Sequence, residues 1–204
     1  MAISEIQDPD SYKSIQNPSE GSYRELGSKF LSFAYPVSSE EEIKLLISNI
    51  KSEYFDARHH CYAYRLGEKG ELWRANDDGE PSSTAGRPIL GQILSNELSD
   101  ILIVVVRYFG GTKLGVTGLI RAYKSAAANA IANAYIIEKR LLKTLKINFE
   151  YPNSDKVMRT VRGVCEEIVA QEFGIGCSVT IKVTKGNLER IQSISEFCKI
   201  EIVN

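Results

Sequence analysis

The sequence predicts an α+β chain of two domains. An α–β two-layer domain over residues 22–137 precedes a βαββαβ domain over residues 138–204, and residues 1–21 lead in as a flexible arm. Three observations carry this reading. "ILIVVV" (101–106) is a short, unbroken, β-branched run of the kind a strand covered on both faces shows. Helical apolar stripes stand on either side of it. After residue 138 the period switches to alternation, then helix, then alternation again. A chain of 204 residues is long enough to bury two such cores.

The arm is polar and holds Pro9 and Pro18, so it reads as loosely held or as the lead-in to a strand. "KFLSFAYPV" (29–37) places Leu31, Phe33 and Tyr35 on one side of a strand. Ser38 and Ser39 follow, with Glu41 and Glu42 each three residues later, a doubled capping-box signal. Ile43, Leu46, Ile47 and Ile50 then form one helical stripe. "HHCYAYRL" (59–66) and "ELWRAN" (71–76) flank the turn "GEKG" and predict a hairpin. "DDGEPSSTAGRP" (77–88) is a long turn, and a helix over 85–94 follows with Thr84 as its cap and Pro88 in its first turn. The run 101–106 is the central strand. The helix after it, over 116–135, aligns Leu119, Tyr123, Ala127, Ala130 and Ala134, small enough for close packing on a sheet.

In the second domain Leu145, Ile147, Phe149 and Tyr151 alternate inward. A helix over 153–170 carries Val157, Val161, Val164, Cys165 and Ile168. A short strand near 170–176 precedes "CSVTIKVTK", a short helix holds Leu188, Ile191 and Ile194, and "CKIEIV" closes the domain. This order is the split βαβ arrangement of ferredoxin-like domains.

Composition narrows the function classes. Hydrophobic residues make up 43% and charged residues 25%, and the net charge of −1 provides no global field to recruit nucleic acid. No apolar stretch approaches 18 residues and the N-terminus has no signal-like run, so no membrane partner and a cytoplasmic location are expected. Cys61, Cys165, Cys177 and Cys198 include no C-x-x-C pair, which predicts reduced thiols and neither a metal nor a cofactor.

The local charge says more. Residues 101–137 contain no Asp or Glu but carry Arg107, Lys113, Arg121 and Lys124. Within them "RYFGGTKLGVTGLIRAYKSA" (107–126) holds Gly110, Gly111, Gly115 and Gly118 around the start of the helix expected over 116–135. Gly110 and Gly115 have the outer spacing of a P-loop, but Val116 and Thr117 stand where its Lys and Ser/Thr belong. No G-x-G-x-x-G is present either. Two readings stay open: a strand-to-helix connection needing positive φ, or uncovered amides at a helix start that contact an anion such as a nucleic-acid phosphate. On the second reading the nucleic-acid or anion partners are Arg107, Lys113, Arg121 and Lys124, with the amides of Gly110, Gly111 and Gly115. Tyr108 or Tyr123 would stack on a base.

"DARHHC" (56–61) carries both histidines, with His59 and Cys61 on one strand face and His60 on the other. No third group orients a Cys–His pair, so no catalytic residue is assigned, and Arg58 and His59 are expected to line a groove. Asp77, Asp78 and Glu80 read as a solvated turn, as positioners of Arg107 or Arg121, or as an acidic site for a metal–phosphate.

Three blocks, "DARHHCYAY", "NDDGEPSSTAGRPIL" and "VVVRYFGGTKLGVTGLIRAY", together resemble the IMPACT family in its bacterial, YigZ-like branch, over about residues 20–135. The tail from about residue 139 resembles the second domain of the bacterial members. The resemblance implies that the first domain is like the second domain of a small-subunit ribosomal protein, of left-handed βαβ type, and that the second is ferredoxin-like. It also implies kinship with eukaryotic regulators of translation. Some bacterial members carry a proline-dipeptidase label, but this chain shows no spaced Asp, Asp, His, Glu, Glu set to support it. The function expected is therefore a non-enzymatic, cytoplasmic, RNA- or ribosome-associated regulator of translation, with RNA, the ribosome or a translation-associated protein as partner. The alternatives are a phosphate-ligand enzyme built on the acidic turn and glycine loop 110–118, and a protein-interaction module.

Overall fold

The computed structural model describes residues 11–174 and 176–203. The chain separates into two compact units, one holding Tyr12–Lys139 and the other the C-terminal part from Arg140.

The first unit is built on a five-stranded sheet. Its strands are β2 (Ser19–Glu25), β3 (Ser28–Pro36), β4 (His59–Leu66), β5 (Leu72–Asn76) and β6 (Ile101–Tyr108). They lie in the order β2-β3-β6-β4-β5, and every neighbouring pair is antiparallel. The apolar run 101–106 is thus the central strand, as expected. Two further strands, β1 (Ser11–Ile15) and β7 (Ile136–Arg140), pair with each other. The helices are α1 (Glu40–Glu53), α2 (Gly86–Ser95) and α3 (Gly115–Ala132).

The two-layer expectation fails in this unit. Ile101, Ile103 and Val105 pack into one core with Ile89, Ile93, Leu119, Tyr123 and Ala127 of α2 and α3. Leu102, Val104 and Val106 pack into a second core with Ile43 and Ile50 of α1. Helices therefore cover both faces of the sheet. The cause is the strand itself: β6 has no polar face, and leaving three of its side chains in water would forfeit about 1.5–3 kcal/mol each.

The flexible arm is also corrected where it can be followed. Residues 1–10 lie outside the described residues, but 11–15 and 19–25 are strands, and Ser14 and Ile15 are buried. The polar side chains of β2 fall largely on the outer side of an alternating edge strand, which is why composition alone read as an arm.

Helix starts follow local chemistry with one reassignment. For α1, the Ser39 hydroxyl accepts from the Glu42 N–H, and the Glu42 carboxylate accepts from the Ser38 N–H at 2.8 Å. For α2, Thr84 is not the cap; its hydroxyl donates to the Pro81 carbonyl. Asp77 takes over, its carboxylate accepting from the N–H groups of Ser83, Ala85 and Gly86 at 2.8–3.0 Å. A carboxylate at a helix start satisfies free donors and opposes the positive end of the helix dipole.

The second unit runs β8 (Leu142–Phe149), α4 (Ser154–Arg162), β9 (Glu167–Glu172), β10 (Cys177–Thr184), α5 (Leu188–Gln192) and β11 (Cys198–Val203). Its antiparallel sheet has the order β11-β8-β10-β9. Leu145, Ile147, Val179 and Ile181 meet Val157, Val161 and Ile191 in a single core. Two local expectations are corrected. The helix expected to residue 170 stops at Arg162, and Glu167–Glu172 becomes an edge strand against β10, with Ile168 partly exposed. Tyr151 is 69% exposed rather than inward, because β8 has already ended at Phe149.

Candidate functional site

The segment between β6 and α3 is held by its neighbours before it can hold anything else. A Cβ on Gly110 would stand 1.9 Å from the carbonyl carbon of Gly27 and 2.2 Å from the Ser28 nitrogen, so only glycine lets the loop press against the β2–β3 turn. The Gly110 N–H, expected to face a ligand, instead donates to the Ser28 hydroxyl at 3.2 Å. Gly111 and Gly115 differ. Both are exposed at positive φ, 89° and 68°, with open space where a Cβ would stand. α3 starts at Gly115 with no acidic residue in its first turn, so its positive end is not neutralised there.

Arg107 is the first large correction among the cations. It is not a free phosphate partner on the surface but a buried ion-pair member. Its Nη1 donates to Glu80 Oε1 at 2.6 Å, with the two side chains 8% and 4% exposed. Its guanidinium stands 5.5 Å from the ring centre of Phe30 and 5.6 Å from that of Phe109. Its Nε is buried without a hydrogen-bond partner. The same Glu80 oxygen accepts from the Tyr123 hydroxyl at 2.7 Å, and that hydroxyl accepts from the Cys61 thiol. Tyr123 is fully buried and cannot stack on a base. Burial pushes both the Tyr123 phenol and the Cys61 thiol well above their usual ranges, so both stay neutral.

The acidic turn does not act as one site. Asp77 caps α2 and Glu80 holds Arg107 and Tyr123. Asp78 accepts from the His60 N–H at 2.7 Å and from Lys51 at 2.9 Å. Burial raises the Asp78 carboxyl, but the His60 amide and Lys51 outweigh it and hold it below its ordinary value. The metal–phosphate reading of this turn fails because its three carboxylates diverge to different partners. The expectation that the turn positions Arg121 fails too, since Arg121 pairs with Glu25 of β2. Among the described residues, no group of three or more His, Cys, Asp or Glu side chains is placed to hold a metal.

What does converge is a concavity of about 480 Å³ beside the glycine loop. Arg58, His59, Arg107 and Lys113 line it with Glu80, three permanent cations against one carboxylate. β4 runs beside β6 in a register that sets His59 opposite Arg107, which brings the two sequence-distant motifs together. The His59 Nδ1 lies 2.9 Å from the Asp78 carbonyl. A carbonyl only accepts, so Nδ1 carries the proton and Nε2 is left as the ring's remaining hydrogen-bonding atom. Phe109, Leu114 and Val116 supply apolar wall, with Phe109 47% and Val116 58% exposed. Phe109 is the residue that sequence reading missed. It stands in the quoted stretch between Tyr108 and Gly110, and the signal was an apolar ring placed just past the end of a buried strand.

Tyr108, Arg121 and Lys124 are not among the residues lining the concavity. Tyr108 donates to Asp56 at 2.8 Å, a bond that raises its phenol pKa, while Lys124 lies exposed along α3. In the second unit a wider hollow of about 700 Å³ mixes Lys146 and Lys199 with Glu150, Glu172 and Glu196, so it presents no cationic excess. Among the described residues no helix is long and apolar enough to cross a membrane.

The fold and site thus define a two-unit α/β protein whose N-terminal unit presents a cationic concavity between a histidine strand and a glycine loop. The Impact N-terminal domain matches residues 26–131. IMPACT family member YvyE of Bacillus subtilis is 38% identical over 135 residues, which span 66% of this chain and 62% of that protein. An IMPACT family member of Haemophilus influenzae is 31% identical over 172 residues, 81% of this chain and 82% of its own length. A solved structure described as a hypothetical protein shares the fold, with a TM-score of 0.69 at 23% identity over 96% of this chain and 98% of that one. The chain belongs to the IMPACT family.

Proposed function

We propose that this protein is a cytoplasmic regulator of translation that meets RNA or the ribosome at the concavity beside the glycine loop and catalyses no reaction there. One observation carries the reading. Arg58 and Lys113 stand at an open hollow together with the uncapped start of α3 and a half-exposed aromatic ring. Cations and a helix N-terminus favour phosphate, and an exposed ring favours a base. Family membership adds support, through the resemblance to eukaryotic regulators of translation. On the same reading the first unit is related to the second domain of a small-subunit ribosomal protein and the second is ferredoxin-like, in keeping with its β11-β8-β10-β9 order. Arg121 and Lys124 would extend the path of a bound strand along α3.

The test is binding of a labelled single-stranded RNA, followed by anisotropy across a salt series. Each phosphate contact contributes a log–log slope of about −0.7 on single strands, so Lys113→Ala and Arg58→Ala should each flatten the slope by about that amount. No binding above background at low salt rejects the proposal. A translation-associated protein as partner gives a different result: capture on ribosomes that survives high salt and is unchanged by Lys113→Ala.

A further inference from the structure

We infer that the concavity is a single-nucleotide subsite, which takes a phosphate on its cationic side and an unstacked base against its apolar wall. This rests on the reading of the site as one for phosphorylated ligands and names the unit it recognises.

The lining of the hollow and its surroundings point to it. The volume of about 480 Å³ lies within the ~300–1,000 Å³ that small-molecule sites occupy. A groove that only tracks a phosphate backbone needs neither that depth nor apolar walls. Phe109 and Val116 expose large apolar surface at a cationic rim, where core packing does not require it. Arg107 lines the hollow with its side chain more than nine-tenths buried and its Nε unpartnered. The guanidinium so placed adds fixed positive charge to the wall of the hollow. Phe109, close to Arg107 yet half exposed, keeps ring surface for a base to cover. Lys113, Arg58 and the 18-residue α3 supply positive charge for the phosphate. His59 has its Nδ1–H fixed on Asp78, so its Nε2 can accept from a sugar hydroxyl. The loop is preorganised, since Gly110 is wedged against Gly27 and bonded to Ser28.

A free nucleotide and an extruded nucleotide of an RNA share this chemistry. Calorimetry on the whole chain with 5′-AMP, 5′-UMP, adenosine and inorganic phosphate is paired with anisotropy on a single-stranded RNA. At least one nucleotide should bind roughly tenfold or more tighter than adenosine or phosphate alone. Phe109→Ala and Lys113→Ala should each weaken it by about tenfold. Val116→Trp should block the hollow, and Lys44→Ala, on α1 at the other face of the sheet, should leave nucleotide affinity unchanged. Thermal melts of each variant separate lost binding from lost folding, and all four substitutions sit on exposed side chains.

RNA binding with no nucleotide binding overturns the subsite and leaves the RNA reading intact. Nucleotide binding without RNA binding at low salt sustains the subsite and removes the RNA reading. Equal affinity for nucleotide and bare phosphate, or a Phe109→Ala variant that binds as well as the parent, overturns the subsite. Failure of every ligand overturns both.

Discussion

Replacing Glu80 with alanine strands a charge. The substitution leaves the Arg107 guanidinium 8% exposed, over the Phe30 ring, with Nε already unpaired and its Nη1 acceptor gone. Breaking a buried ion pair by removing one partner costs about 3–5 kcal/mol. The fully buried Tyr123 hydroxyl loses its acceptor as well, worth about 1–3 kcal/mol. Both donors share one carboxylate oxygen, so the two costs overlap, and about 4–6 kcal/mol is expected in total. At roughly 3–5 °C per kcal/mol for a unit of this size, the first unit should melt about 12–30 °C lower in calorimetry. Glu80→Gln keeps an oxygen acceptor without the charge and should lose less than half as much. Removing the whole polar cluster at once, as Glu80→Leu with Arg107→Met and Tyr123→Phe, leaves no orphaned charge and should recover most of the loss. A Glu80→Ala melt within about 1 kcal/mol of the parent would refute the reasoning, because Arg107 would then have water within reach.

Four further outcomes are expected. Asp77→Ala should leave three helix-start amides of α2 without an acceptor and cost about 0.5–2 kcal/mol in urea unfolding, an effect Asp77→Asn should partly spare. The folded Asp78 carboxyl lies below its unfolded value, so it contributes stability above about pH 4 that is lost as pH falls through the lower folded pKa; melts across an acid series should show the gap between parent and Asp78→Asn closing at low pH. Cys61 should resist iodoacetamide in the native protein at pH 8 and react on unfolding, while half-buried Cys165 labels first, as peptide mapping by mass spectrometry can read. Gly111→Ala should cost about 1–2 kcal/mol for its positive φ alone, whereas Gly110→Ala, which is not at positive φ but must displace the Gly27 backbone, should lose more in chemical denaturation.

Much of this protein is local and therefore written in the chain. The β-branched run at 101–106 had to be a central strand, since no face of it tolerates water. The serines before Glu42 had to start a helix, and the alternation at 177–184 had to be a half-covered strand. Each depends only on side chains within a few residues of one another. The site was legible in kind, as a cationic glycine loop near a histidine strand, but not in membership. Arg107, Arg121 and Lys124 look alike as letters. Pairing β4 beside β6 buries the first against Glu80, while β2 supplies Glu25 to the second and the third is left on the open side of α3. Asp77, Asp78 and Glu80 are neighbours in sequence, yet a tight turn sends them to a helix start, a strand amide and a buried arginine. Which charge is paired, and which is left exposed, depends on groups tens of residues apart. Coulomb and desolvation energies follow distance in space, and only the folded chain sets that distance.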